Sequence, residues 1–286
     1  MKKHKLCIFA LGGGVLILFI TSLFLYTITN PIHRINPDLS NNNYFVAHAT
    51  GSLDGYTYLN SKESLLKSLK NGYKYIEVDL HLTVDSILVC VHDWEQFNKM
   101  TIPNLCRKDT NIYRKIPPYK EFYSRKIYGK FSPLSFSDLL IFQEQLPFII
   151  ITDKISNPEI LNRFIPPQRR SRIMVEAFSK NDYYKLKNHG YTPMFSLGCV
   201  NFFHGGIQFI ISQIFNHEIE WITAEQHSSK RTLRLLKKLF NLNIALYTVN
   251  SAYYFNWHLV NDVNLIYTDN WNLKTQLNDY EDNTTQ

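Results

Sequence analysis

Tyr75–Trp94 reads Y-I-E-V-D-L-H-L-T-V-D-S-I-L-V-C-V-H-D-W. Polar and apolar residues alternate from Ile76 to Leu80, which predicts a strand over Lys74–Leu80. Glu77 and Asp79 are two residues apart, so a strand sets both carboxylates on one side and Ile76, Val78 and Leu80 on the other. A second apolar run, Ile87–Val91, ends in His92-Asp93 and reads as the neighbouring strand. Two acids aimed at one spot beside a histidine can hold a divalent cation and move a proton next to it. Upstream, Tyr44–Ala47 predicts a further strand that ends at His48.

The pattern continues outward from there. A helix is expected over Ser61–Leu69, capped by Ser61 and stopped by Asn71-Gly72. Further helices are expected over Ser135–Gln145, Pro158–Phe164, Asp182–Asn188, Gly206–Phe215, Ser228–Phe240 and Ala252–Val260. Strands are expected over Phe148–Ile151, Ile173–Phe178, Pro193–Leu197, Trp221–Ala224, Ile244–Val249 and Leu265–Tyr267. Strands alternating with helices imply a parallel sheet. Eight or nine strands in a chain of this size favour an α/β fold of the TIM (β/α)8 barrel type. An open doubly wound sheet is the alternative, but no Gly-rich first turn supports a dinucleotide site. His48, Glu77, Asp79, His92, Asp153, Lys154, Glu176 and Asp269 all fall at or near expected strand C-terminal ends, which converge on one mouth in a barrel. Residues 95–132 interrupt the alternation and read as an insertion that shapes access to that mouth.

The N-terminus has a different character. Met1-Lys-Lys-His-Lys precedes Leu6–Asn30, which carries no charged residue. Residues 1–5 read as a cytoplasmic basic flank, 6–30 as a transmembrane signal-anchor, and 31–43 as a linker. The barrel is expected over 44–275, on the outer side of the cell membrane, followed by a polar tail over 276–286. A cleaved signal peptide is the alternative for 6–30. The 286 residues are 45% hydrophobic, enough for a sizeable core. The net charge of +7 includes Lys2, Lys3 and Lys5, and its spread along the chain argues against a nucleic-acid partner. Four cysteines without a C-x-x-C argue against a structural zinc site. Cys106 and Cys199 are the two that could form a disulfide.

Several motifs, in order, resemble the glycerophosphodiester phosphodiesterase family. They are Ala47-His48-Ala49-Thr50-Gly51, Leu59-Asn60-Ser61, Glu77-Val78-Asp79, Thr83-Val84-Asp85 and Val91-His92-Asp93. Downstream come Ser132–Leu140, Val175–Ser179, Tyr247-Thr248-Val249-Asn250 and Ile266-Tyr267-Thr268-Asp269. The resemblance implies a TIM-barrel phosphodiesterase that cleaves a glycerophosphodiester-type substrate. It implies Glu77, Asp79 and Asp153 as ligands of one divalent cation, Mg2+ or Ca2+. His48 and His92 are then general base and general acid, and Lys154 and Asn60 contact phosphate. The partners it implies are a small-molecule or lipid-derived phosphodiester and, through the N-terminal segment, a membrane.

This chain departs from the family pattern in three places. The family Arg after the first histidine is Ala49, and its Glu before Asn60 is Leu59. The family Glu-x-Lys at the fourth strand is Thr152-Asp153-Lys154. Strict alternation puts Asp153 and Lys154 on opposite faces, so either a bulge re-aims one of them or Thr152 takes the inward slot. These departures leave two alternatives: an inactive barrel that binds a phosphorylated glycan or lipid headgroup, and a lyase that stops at the cyclic phosphate. His81, one residue past Asp79, is expected to face away from the site.

Overall fold

The computed structural model describes residues 18–22, 26, 44–102, 113–199, 218–251 and 263–269. Eight strands run parallel: β1 (Phe45–Ala47), β2 (Tyr75–Leu82), β5 (Ile149–Asp153), β6 (Ile173–Ala177), β7 (Thr192–Ser196), β8 (Trp221–Glu225), β9 (Asn243–Tyr247) and β10 (Leu265–Thr268). Each pairs with the next, and β1 pairs with both β2 and β10, so the sheet closes into a barrel. Two short strands, β3 (Leu88–Cys90) and β4 (Leu134–Ser135), lie outside it and pair antiparallel.

Side-chain alternation divides the core. Val46, Ile151, Met174, Met194, Ala245, Leu265 and Tyr267 point inward and fill the barrel. Their outward neighbours Ile76, Val78, Ile150, Val175, Ile222, Ile244 and Ile266 meet the helices. The charged strand residues sit above the apolar plug, where the inward positions open toward the mouth. The helices start where the sequence supplies a cap. The side chains of Ser61, Asp93, Ser135, Asn157, Ser179 and Ser229 each accept a backbone N–H in the first turn. At Ser135 the Asp138 carboxylate answers back, completing a capping box.

The structure corrects the expectation that Ile87–Val91 is a barrel neighbour. Strand β3 runs back antiparallel along the extension of β2, with Leu80 opposite Cys90 and Leu82 opposite Leu88. The reason is length: a parallel return needs a crossover of about a dozen residues, and a short link permits only a hairpin. The turn is held by Thr83, whose Oγ1 accepts the Ile87 N–H at 3.0 Å, while the Thr83 N–H bonds the Ile87 carbonyl at 3.0 Å. This excursion, the Trp94–Thr101 helix and the Tyr119–Ser124 helix share a small core of Leu59, Val89, Val91, Trp94, Phe97, Phe122, Ile127 and Phe131.

Among the described residues no helix is long and apolar enough to cross a membrane. The expected 6–30 span lies almost entirely outside them, as do the 31–43 linker, Cys106 and the 276–286 tail. The expected helices over 206–215 and 252–260 also lie outside. The expected Pro158–Phe164 helix is shorter, Pro158–Leu161.

Candidate active site

The mouth at the strand C-terminal ends collects the charged residues. Glu77 and Asp79 share the inward face of β2, and register places Asp153 beside Asp79. Oxygens of Glu77, Asp79 and Asp153 lie within 4.8 Å of one another. Glu77 and Asp79 are almost wholly buried. Burial raises the Glu77 pKa well above the usual carboxylate range, and the Asp79 and Asp153 charges push it further. The Ala49 N–H, bonded to Glu77 Oε2 at 2.6 Å, pulls it back in part. Converging hard oxygen donors with mutual repulsion are the donor set that Mg2+ or Ca2+ favours, so the residues fit a divalent cation.

Neither of the two expected ways of reconciling Asp153 with Lys154 occurs. Asp153 takes the inward slot, and Thr152, in register with Val78, stays on the outer layer. Lys154 then turns back over the mouth because its backbone enters the left-handed region, with φ +70°. Its Nζ lies 2.9 Å from Asp153 Oδ2 and 3.5 Å from Asp79 Oδ1. Burial works against its charge, but the Asp153 and Asp79 carboxylates raise its pKa overall.

His48 stands at the end of β1, only 11% exposed, with Nδ1 at 2.7 Å from Asp269 Oδ1 and Nε2 at 4.0 Å from Glu77 Oε2. Asp269 is itself held: its Oδ2 accepts from Asn250 Nδ2 at 2.7 Å, and its N–H bonds Asn250 Oδ1 at 2.8 Å. His92 arrives from the excursion, with Nδ1 at 2.9 Å from Asp93 Oδ2. The Asp93 N-cap also accepts the Gln96 N–H at 2.7 Å. Burial would raise the Asp93 pKa, but the Gln96 and His92 contacts outweigh it and hold it below the usual range. His81 stays off the carboxylate cluster and bonds the His92 carbonyl at 3.1 Å, so it braces the excursion. Asn60 donates from Nδ2 to Asp79 Oδ2 at 3.0 Å, orienting that carboxylate.

The structure thus brings His48, Asn60, Glu77, Asp79, Asp153 and Lys154 to one mouth, while His92 lines a neighbouring cavity with Asp93, Trp94 and Arg114 and meets Tyr58, which also touches His48. Sequence reasoning gave no role to three neighbours: Tyr58, Asp269 as the His48 partner, and Asp93 as the His92 partner. Asp269 and Asn250 had a signal, since each ends a quoted motif, but their union with His48 is a contact across 221 residues. The mouth opens into a cavity of about 350 Å3. Its far wall carries Glu176, Ser196, Glu225 and Tyr247. Burial raises the Glu176 pKa well above the usual range, with the Asp153 charge adding to it.

A closed parallel barrel with convergent carboxylates and a tethered histidine at its C-terminal mouth can hold a cation and move a proton at a single face. The sequence model of the Glycerophosphoryl diester phosphodiesterase family matches residues 52–136, a segment that includes Asn60, Glu77, Asp79 and His92. By sequence, that segment is similar to this family. The fold agrees over most of the chain. A glycerophosphoryl diester phosphodiesterase from Parabacteroides distasonis is 14% identical, with 87% of this chain and 89% of that one covered and a TM-score of 0.61. One from Thermotoga maritima is 14% identical, with 86% and 100% covered and a TM-score of 0.60. An Oleispira antarctica phosphodiesterase, solved in complex with the product sn-glycerol-3-phosphate, is 15% identical, with 82% and 95% covered and a TM-score of 0.59. At these identities the likeness is one of fold. No curated protein matches the sequence.

Proposed function

We propose that this chain is a metal-dependent phosphodiester hydrolase acting on a glycerophosphodiester-type substrate. One observation carries the reading: two histidines, each tied through Nδ1 to a carboxylate, pack on one phenol ring, and the first of them stands beside a cluster of three further carboxylates at the barrel mouth. Glu77, Asp79 and Asp153 would hold the cation, Mg2+ or Ca2+. When bound, it supplies positive charge against a phosphate oxygen and acidifies a nearby hydroxyl.

The chain's own residues account for the proton movements. Asp269 accepts from His48 Nδ1–H, which leaves the Nε2 lone pair free toward the cluster. His48 Nε2 takes the proton of the substrate hydroxyl adjacent to the phosphodiester. The hydroxyl oxygen bonds to phosphorus, and the bond from phosphorus to the leaving oxygen breaks. His92 Nε2 gives that oxygen its proton. The product is a cyclic phosphate, which water opens with the two histidines in exchanged roles. Lys154 offsets negative charge on the phosphoryl oxygens. Asn60 keeps Asp79 in its ligating orientation.

Turnover of a glycerophosphodiester panel with Mg2+, Ca2+ or EDTA tests this, alongside His48→Ala and His92→Ala. Metal-dependent turnover lost in both variants is the expected result. Binding of phosphodiester without turnover in the wild type would move the weight to a binding barrel. Accumulation of cyclic phosphate would define a lyase instead. We further propose that 6–30 anchors the barrel to the outer face of the cell membrane, on the strength of its uncharged sequence behind a basic flank. Protease accessibility of the barrel in intact cells, with N-terminal sequencing of the mature chain, tests both parts.

A further inference from the structure

Tyr58 lies between the two histidines. Its ring centroid is 4.8 Å from that of His48 and 4.8 Å from that of His92, at interplanar angles of 78° and 75°. Both imidazoles therefore pack edge-on with the same phenol ring. Tyr58 reaches this place with φ +55°, a conformation that is uncommon for a bulky side chain and points to a local demand on the residue.

Its neighbours hold it there. Leu59 is buried in the core beneath the excursion, and Asn60 is tied to Asp79. Two residues before Tyr58, Tyr56 stacks on Tyr128 with centroids 4.2 Å apart. The ring of Tyr58 is thus set by packing on both sides of it in the chain. Burial raises the pKa of its hydroxyl, and the Asp269, Asp79 and Glu77 charges raise it further. At neutral pH it is an un-ionised donor, and among the described residues it has no hydrogen-bond acceptor. A phosphodiester within reach of both His48 and His92 lies next to the residue that carries that donor.

We propose that Tyr58 is a further catalytic residue, whose hydroxyl donates a hydrogen bond to a non-bridging phosphoryl oxygen of the bound phosphodiester. The inference rests on the proposed phosphodiesterase reading. It assigns a phosphate-binding group to a position where nothing in the motif pattern supplied one.

The test compares Tyr58→Phe, which keeps the ring, with Tyr58→Ala, which removes it. Turnover is measured with a glycerophosphodiester. Affinity for inorganic phosphate and for sn-glycerol 3-phosphate is measured by calorimetry in the presence of Mg2+ or Ca2+. A hydrogen bond to a charged group predicts a loss of about tenfold or more in kcat/KM and in phosphate affinity for Tyr58→Phe. Metal affinity and melting temperature should stay those of the wild type in that variant. Tyr58→Phe indistinguishable from wild type in both measurements overturns the proposal. So does a rise in kcat/KM in either variant, which would make the ring an obstruction. His48→Ala and His92→Ala in the same assay report separately on the underlying reading. If they keep full turnover, that reading fails; if they lose it and Tyr58→Phe does not, only the role of Tyr58 fails.

Discussion

The barrel rim and the excursion each deliver one histidine to the mouth, by opposite means. His48 ends a barrel strand, and its carboxylate, Asp269, comes from the last strand, 221 residues away. His92 ends a hairpin outside the barrel, and its carboxylate is the next residue in the chain. The rim histidine is 11% exposed and the excursion histidine 32%. His48 is therefore fixed by closure of the whole barrel, and His92 by a local turn resting on a small separate core. Rigidity at one and adaptability at the other suit the proposed reaction, in which a phosphorus is held in place and an alcohol is released.

The largest test of this contrast removes the imidazoles. His48→Ala and His92→Ala should each lower kcat by about 10^2- to 10^4-fold, measured at saturating metal. Next come the two tethers. Asp269→Asn should lower kcat by about 10- to 100-fold, because His48 loses its orienting acceptor. Asp93→Asn should cost less, since Asn still caps the Trp94–Thr101 helix and His92 is reached by solvent. Equal losses would break the distinction between a barrel-built and a locally built histidine. Cation binding is the third test. At a cation concentration about 100 times its Kd, the metal should stabilise the fold by about 2.7 kcal/mol in thermal melts. Asp79→Asn should abolish that gain.

The smallest expected effect concerns the cavity's far wall. Glu176 has a raised folded pKa, so below the ordinary carboxylate pKa both folded and unfolded states hold its proton and pH has no leverage. As pH rises, the unfolded state ionises while the folded state resists, and stability falls. Glu176→Gln removes that cost. Its melting temperature should exceed that of the metal-free wild type at pH 8, and the gap should close as pH falls toward 4. A gap independent of pH would mean that Glu176 is ionised in the fold.

Much of this was legible along the chain. The alternation through Ile76–Leu80 defined which side of β2 carries Glu77 and Asp79, because side-chain direction in a strand depends only on position parity. Ser61 and Ser135 marked helix starts, because a cap needs only a side-chain oxygen and a nearby N–H; the cap at Ser179 was passed over and its helix expected from Asp182. The motif order placed Asn60, Glu77, Asp79 and His92 in one region, all local enough to read. The hairpin at Leu88–Cys90 was misread as a barrel strand, although its short link to β2 was a usable signal.

The sequence by itself determined the period of the strands, the caps of the helices and the residue types able to bind a cation and move a proton. Those properties arise within a few residues and need no partner. Tertiary structure alone decided that Asp269 orients His48, that Lys154 turns back beside Asp153, and that Tyr58 stands between the two histidines. Each of these depends on barrel closure or on a backbone torsion held by distant packing. Free energies of that kind come from contacts between segments far apart in the chain, which no local pattern of residues records.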